Sequence, residues 1–161
     1  MKETENYITI MEETLTKKLE LLKKIERIAR LQTEAFEEGN VDPDRMMDQL
    51  EQKDVYLREL DKLDDGFEVV YGRAHQEMAA NKEQYRYEII KMQELIKDIA
   101  SYTVKLQVFE EKNRQRFINL FNKKREEIKT FNSNNKMAAN YYKNMANVHQ
   151  SGQSYFVDRK K

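Results

Sequence analysis

The chain has no cysteine and no tryptophan, and only one proline and four glycines in 161 residues. Without cysteine there is no disulfide, zinc–thiolate site or thiol nucleophile, and a reducing compartment is mildly favoured. So little glycine and proline excludes a turn-rich β sandwich or barrel, which needs a breaker every 8–12 residues or so. It also leaves no glycine-rich loop for a nucleotide. Long hydrophobic runs are missing: no stretch approaches the roughly 18 apolar residues of a membrane span. The opening MKETENYITIMEETL carries no apolar signal core, so the expectation is a soluble cytoplasmic protein without membrane insertion.

What is present is charge. Hydrophobic residues make up 39% and charged residues 36% of the chain, with a mean hydropathy of −0.94. Such composition belongs to long amphipathic helices. The formal net charge is zero, but residues 1–80 hold 20 acids and 12 bases, whereas residues 81–161 hold 9 acids and 17 bases. The halves, at −8 and +8, can attract each other within one fold, or the basic half can recruit an acidic partner.

The few breakers divide the chain. From Glu3 to Glu38 nothing interrupts a helical pattern, with Ile8, Met11, Leu15, Leu22, Ile25, Ala29 and Phe36 at spacings of three, four or seven. Leu19, Leu21, Ile28 and Leu31 widen this stripe enough for two neighbours. Gly39 suits a left-handed C-cap, and Asp42 with Pro43 suits the start of a second helix, antiparallel to the first. The pattern predicts that helix two ends near Asp64, at the Asp64–Asp65–Gly66 break, with a short stretch from Phe67 to Ala80 weakened by Gly72. Asn81 and Gln84 suggest a capping box for a third helix running from Lys82 to Phe131, with Thr103, Glu110 and Asn113 as polar interruptions of its apolar face. At 1.5 Å per residue the three helices would measure about 50, 30 and 75 Å. The first two then cover only part of the third, whose remainder must fold back, dimerise or meet another protein.

The fold class expected is all-α: an elongated antiparallel helical hairpin or bundle of three long helices, coiled-coil-like, over residues 1–131. A short amphipathic helix and flexible tail follow over residues 132–161. From Lys112 onward there are 12 bases and 3 acids. Within this region Met137, Tyr141, Met145 and Val148 form an apolar stripe at helical spacing. After a Gln/Ser/Gly hinge, Tyr155 and Phe156 with Val157 interrupt the polar tail as a short docking element. The competing reading is that the segment packs on its own bundle.

Enzyme signatures are missing: the chain contains no GxxxxGK[ST], GxSxG or HExxH. His75 and His149 are far apart and fit no ligand spacing, so they read as solvent-facing bystanders. The carboxylates alternate with bases at helical intervals, as a solvated salt-bridged face does. The expectations are therefore no enzyme activity, no cofactor and no metal. Lys123, Lys124 and Arg125 near Phe121 and Phe131 suit nucleic acid only weakly, the overall charge is zero and no binding-module motif accompanies them, so no nucleic-acid partner is expected.

Several strings together resemble the flagellar export chaperones of the FlgN type. LELLKKIERIARLQTEAFEEGNVDPDRMMDQLEQKDVYLRELDKLD is similar to that family's opening hairpin, with a Leu-Glu-x-Lys-Asp-like segment at Leu50 to Asp54. IKDIASYTVKLQVFEEKNRQRF is similar to its long helix, and SYFVDRKK to its aromatic–basic tails. The resemblance implies a cytoplasmic type III export chaperone. Such a protein binds unassembled hook-associated (hook–filament junction) proteins through its C-terminal region, prevents their premature assembly and delivers them to the export gate. Carried onto this chain, the client surface comprises Met137, Tyr141, Met145 and Val148. The gate-docking tyrosine is Tyr141, Tyr142 or Tyr155, and Phe156 belongs to the same tail. The Phe67–Ala80 stretch is extra relative to the family pattern. Alternatives are a chaperone for a filament or cap subunit, or a helical coiled-coil scaffold in which the surplus of helix three makes a homodimer.

Overall fold

A break in the helical pattern at 39–42 is where the chain first reverses. In the computed structural model, which describes residues 2–123 and 136–146, α1 (Lys2–Glu38) ends on a Schellman motif. Gly39 takes φ 71°, its N–H donates to the Phe36 carbonyl and the Asn40 N–H donates to the Ala35 carbonyl. Asp42 then caps α2 (Pro43–Ala80), its carboxylate accepting from the Asp44 N–H at 3.1 Å, with Pro43 at the first helical position. This loop is the one the sequence predicts.

The second expected break does not form. α2 continues through Asp64, Gly66 and Gly72 for 38 residues. Both glycines face open space, where each costs only about 1 kcal/mol relative to alanine. Against that, Asp64 accepts from the buried Lys18 ammonium at 2.7 Å, and Phe67, Ala74 and Met78 are buried. Tertiary contacts therefore carry the helix across its weak points.

Asn81 is also displaced from its expected role. It closes α2 instead of opening α3: its backbone N–H and its side-chain amide both donate to the Glu77 carbonyl. A turn at 81–85 follows, and α3 runs from Arg86 to Lys123. The continuation expected as far as Phe131 lies outside the described residues, as does the 131/132 boundary. The three long helices, of 37, 38 and 38 residues, are matched in length at about 56 Å each. Among the described residues α3 thus has no unsheathed surplus, because α2 is longer than its punctuation suggests.

Contacts between helices define the register. Thr4 meets Glu77 and Lys18 meets Asp64, so α2 runs antiparallel to α1. Glu12 meets Lys91, Thr33 meets Asn113 and Glu37 meets Arg116, so α3 runs parallel to α1. α1 lies between the other two and buries a wide stripe, including Met11, Leu22, Ile25 and Ala29. Of the residues that widen its pattern, Leu19 and Leu21 are buried, whereas Ile28 is half-buried and Leu31 faces solvent. A fourth helix, α4, spans residues 136–146 and lies beside α2 and α3 near Asp54 and Glu110. All described residues outside the two connections are helical.

Candidate functional site

Where Tyr141 of α4 meets the bundle, charge is buried most deeply among the described residues. Lys53 of α2 is fully buried, and its Nζ donates to both Glu110 carboxylate oxygens on α3, at 2.9 and 3.2 Å. Two charges this far from water are tolerable only when they satisfy each other. α4 closes the pair from above: the Tyr141 ring centroid lies 4.4 Å from Lys53 Nζ, with the Phe117 ring at 5.7 Å. A cation against an aromatic face, out of water, gains further stabilisation.

This environment shifts the groups it encloses. Burial pulls the Lys53 ammonium below its ordinary pKa, and Glu110 pulls the other way. Burial pushes the Tyr141 hydroxyl well up, reinforced by the Glu110 carboxylate. Tyr142 is raised by the same two causes, with Arg114 opposing. Both tyrosines therefore stay neutral at physiological pH, consistent with a packing role.

One turn away, Asn113 bridges α3 to α1. Its amide donates to the Ala29 carbonyl at 3.0 Å, and its oxygen accepts from the Thr33 hydroxyl at 2.8 Å. Aromatic contacts complete this end: Phe36 meets Phe117 edge-on at 5.0 Å, and Phe117 stacks near Phe121 at 5.9 Å. At the rim Asn144 of α4 donates to Asp54, which also pairs with Arg58.

The structure brings together part of the sequence-predicted stripe. Tyr141 and Met145 are buried in the bundle together with Ala138, and Met137 and Tyr142 are half-buried against it. In this state the stripe faces the chain's own α2 and α3, so it is not a free surface. Val148, Tyr155 and Phe156 lie outside the described residues, as does His149. His75 is half-buried, not simply solvent-facing: its ring stacks on Tyr71 at 5.3 Å and its Nδ1 approaches the Tyr71 and Gly72 carbonyls.

Lys53 and Asp54 stood out in the sequence only as part of the Leu50–Asp54 segment, Asn144 not at all, and Glu110 and Asn113 only as interruptions. The interruptions were the signal, because a polar residue at a core position needs a partner. Thr103 needs none beyond its own helix, since its hydroxyl donates to the Ile99 carbonyl.

Among the described residues no cluster of histidine and acidic side chains is placed to hold a metal ion, and no helix is long and apolar enough to cross a membrane. No protein-family model matches the chain, and neither a curated protein nor a solved structure matches it significantly. The fold itself defines the class: an all-α bundle of three long helices with a short fourth helix seated on it.

Proposed function

We propose that this protein is a cytoplasmic flagellar type III export chaperone, and that its client site is the α2–α3 groove together with α4. The client is the amphipathic terminal helix of an unassembled hook-associated protein, which the chaperone keeps from premature assembly and passes to the export gate. The observation that carries this reading is the seating of α4. An eleven-residue amphipathic helix sits on the Lys53–Glu110 pair through Tyr141 and Met145, with a single rim hydrogen bond from Asn144. A groove that accepts one short amphipathic helix suits another of the same pattern. Methionine at the contact suits a surface that must repack around different sequences. The resemblance to FlgN-type chaperones in the opening hairpin and the ending supplies the class of client.

Tyr141→Ala in the full chain tests this reading, with hook-associated, filament and cap subunits as titrants in calorimetry. Tighter capture of a hook-associated protein indicates that the client takes the place of α4. Weaker capture assigns the client contact to the α4 stripe itself. Selective capture of a filament or cap subunit keeps the chaperone class but replaces the client. Failure of both wild type and variant to bind any of the three rejects the chaperone reading.

A further inference from the structure

The outer face of α3 carries a second pattern, independent of the groove. Eight large apolar side chains are exposed among the described residues, and four of them lie on α3: Tyr87 at 75%, Val104 at 54%, Val108 at 49% and Ile90 at 45%. On α1 and α2 the other four, Ile10, Leu31, Val55 and Val69, stand singly, as surface apolar residues commonly do. The α3 set is ordered. Positions 87, 90, 94, 97, 101, 104 and 108 alternate by three and four, and every one is exposed. This is the a/d seam of a coiled coil, on the side of α3 opposite the buried Met92, Leu106 and Phe117. Its members in order are Tyr87, Ile90, Glu94, Lys97, Ser101, Val104 and Val108.

From this seam we infer that α3 is a self-association surface, and that its occupant is the α3 of a second copy of this chain, running antiparallel. The two charged positions at the centre choose the partner and its direction. In a parallel in-register pair Glu94 meets Glu94 and Lys97 meets Lys97, which is repulsive. In one antiparallel register Glu94 of each copy meets Lys97 of the other, twice about the two-fold axis. The same register sets Ile90 opposite Ser101 and Tyr87 opposite Val104 at both ends. Slipping one heptad places Glu94 against Val104 and Lys97 against Ser101, leaving both charges without a partner. The surface is therefore complementary to itself, as an isologous two-fold contact requires, and its charges reject the alternative pairings. A contact of about three heptads on a single helix is small, so the dimer is of the weak, concentration-dependent kind.

Charge reversal in the full chain tests the pairing. By sedimentation velocity up to roughly 100 µM, wild type is expected to shift from monomer to dimer. Glu94→Lys and Lys97→Glu should each weaken dimerisation by about tenfold or more, and the double swap should restore it. Because the chain has no native cysteine, Ile90→Cys with Ser101→Cys gives a second readout. The pair lies too far apart to close within one helix, so under mild oxidation it should form an inter-chain disulfide that neither single cysteine forms. A monomer at every concentration with no crosslink overturns the proposal. So do single reversals that dimerise like wild type, or a lone Ser101→Cys that crosslinks to itself.

Discussion

The two ends of the bundle are stabilised by different chemistry. At the end where α1 turns into α2, four helices meet and the interior contains charge, amides and a hydroxyl: Lys53, Glu110, Asn113, Gln32 and Thr33. Toward the α2–α3 turn three of the described helices meet, and the interior is largely apolar, with Ile8, Met11, Phe67, Ala74, Met78 and Met92. Apolar contacts between helices tolerate sliding by a turn, because one methylene surface resembles the next. Directional partners do not, since a helix that slips leaves each buried polar atom unsatisfied. The polar end therefore holds most of the directional contacts that set the register, Lys18–Asp64 and Thr4–Glu77 add to them farther along α1, and the rest of that far end supplies burial. The Lys53–Glu110 pair also runs against the gross charge of the two halves, because the base lies in the acidic half and the acid in the basic half. Glu12–Lys91 and Glu37–Arg116 follow the gross charge, and both lie nearer the surface, where ion pairs contribute little.

The largest expected effect comes from breaking the pair on one side. Glu110→Ala leaves the Lys53 ammonium buried without a counter-ion, and should lower stability by about 3–5 kcal/mol in denaturant titration. Replacing both partners, as Lys53→Met with Glu110→Leu, should recover most of that loss or exceed wild type. Without its directional pair this double variant should be stable but less uniquely packed, with broadened amide resonances for α4 and the neighbouring turns of α2 and α3. Sharp native-like spectra would show that Asn113 and Thr33 suffice to hold the register.

A second change at the same end should have the opposite sign. Gln32 is fully buried, and among the described residues neither its amide nitrogen nor its oxygen has a hydrogen-bond partner. Unlike its polar neighbours it contributes no directional contact. Gln32→Met, close in volume, should raise stability by roughly 1–2 kcal/mol, read as a higher denaturation midpoint. A loss would mean that the amide is tied into the network that sets the register.

The first loop was readable in the sequence because Gly39, Asp42 and Pro43 have physical roles that depend only on local backbone. The α4 stripe was readable for a similar reason, since Tyr141 and Met145 share a helix face by spacing alone. What that face meets was not readable, because Lys53 and Glu110 are 57 positions apart and no local rule links them. Gly66 and Gly72 misled in the other direction. Their local cost is real, but the burial of Phe67 and the Lys18–Asp64 pair outweigh it. Asn81 is ambiguous in principle, because its side chain can accept at a helix start or donate at a helix end. Here it donates to Glu77.

The cost of the two glycines can be measured within the more apolar end of the bundle. Both lie in α2 with open space where a Cβ would go, so Gly66→Ala and Gly72→Ala should each add about 0.5–1 kcal/mol, and the two should be additive. Hydrogen exchange should slow most in α2 between them. If exchange there is already as slow as at Leu57 and Leu60, the glycines are not the weak point of the helix.

The smallest expected effect lies between the two ends, at Asp61. Its carboxyl is raised above the ordinary range, first by partial loss of surrounding water, then by Asp64 and Asp65, with Lys18 opposing. A folded-state pKa above the unfolded value means that ionised Asp61 disfavours the fold. The cost is fully present at neutral pH and is relieved as pH falls through the folded value. Asp61→Asn should therefore raise Tm slightly at pH 7, and by less as pH is lowered toward 4. Added salt should shrink the gain as well, since most of the side chain faces water and its neighbours are screened. A gain that is constant across pH would place its origin in helix propensity or packing. The crowding of Asp61, Asp64 and Asp65 on one stretch of α2 would then be electrostatically neutral, with Lys18 balancing the cluster on which α1 and α2 meet.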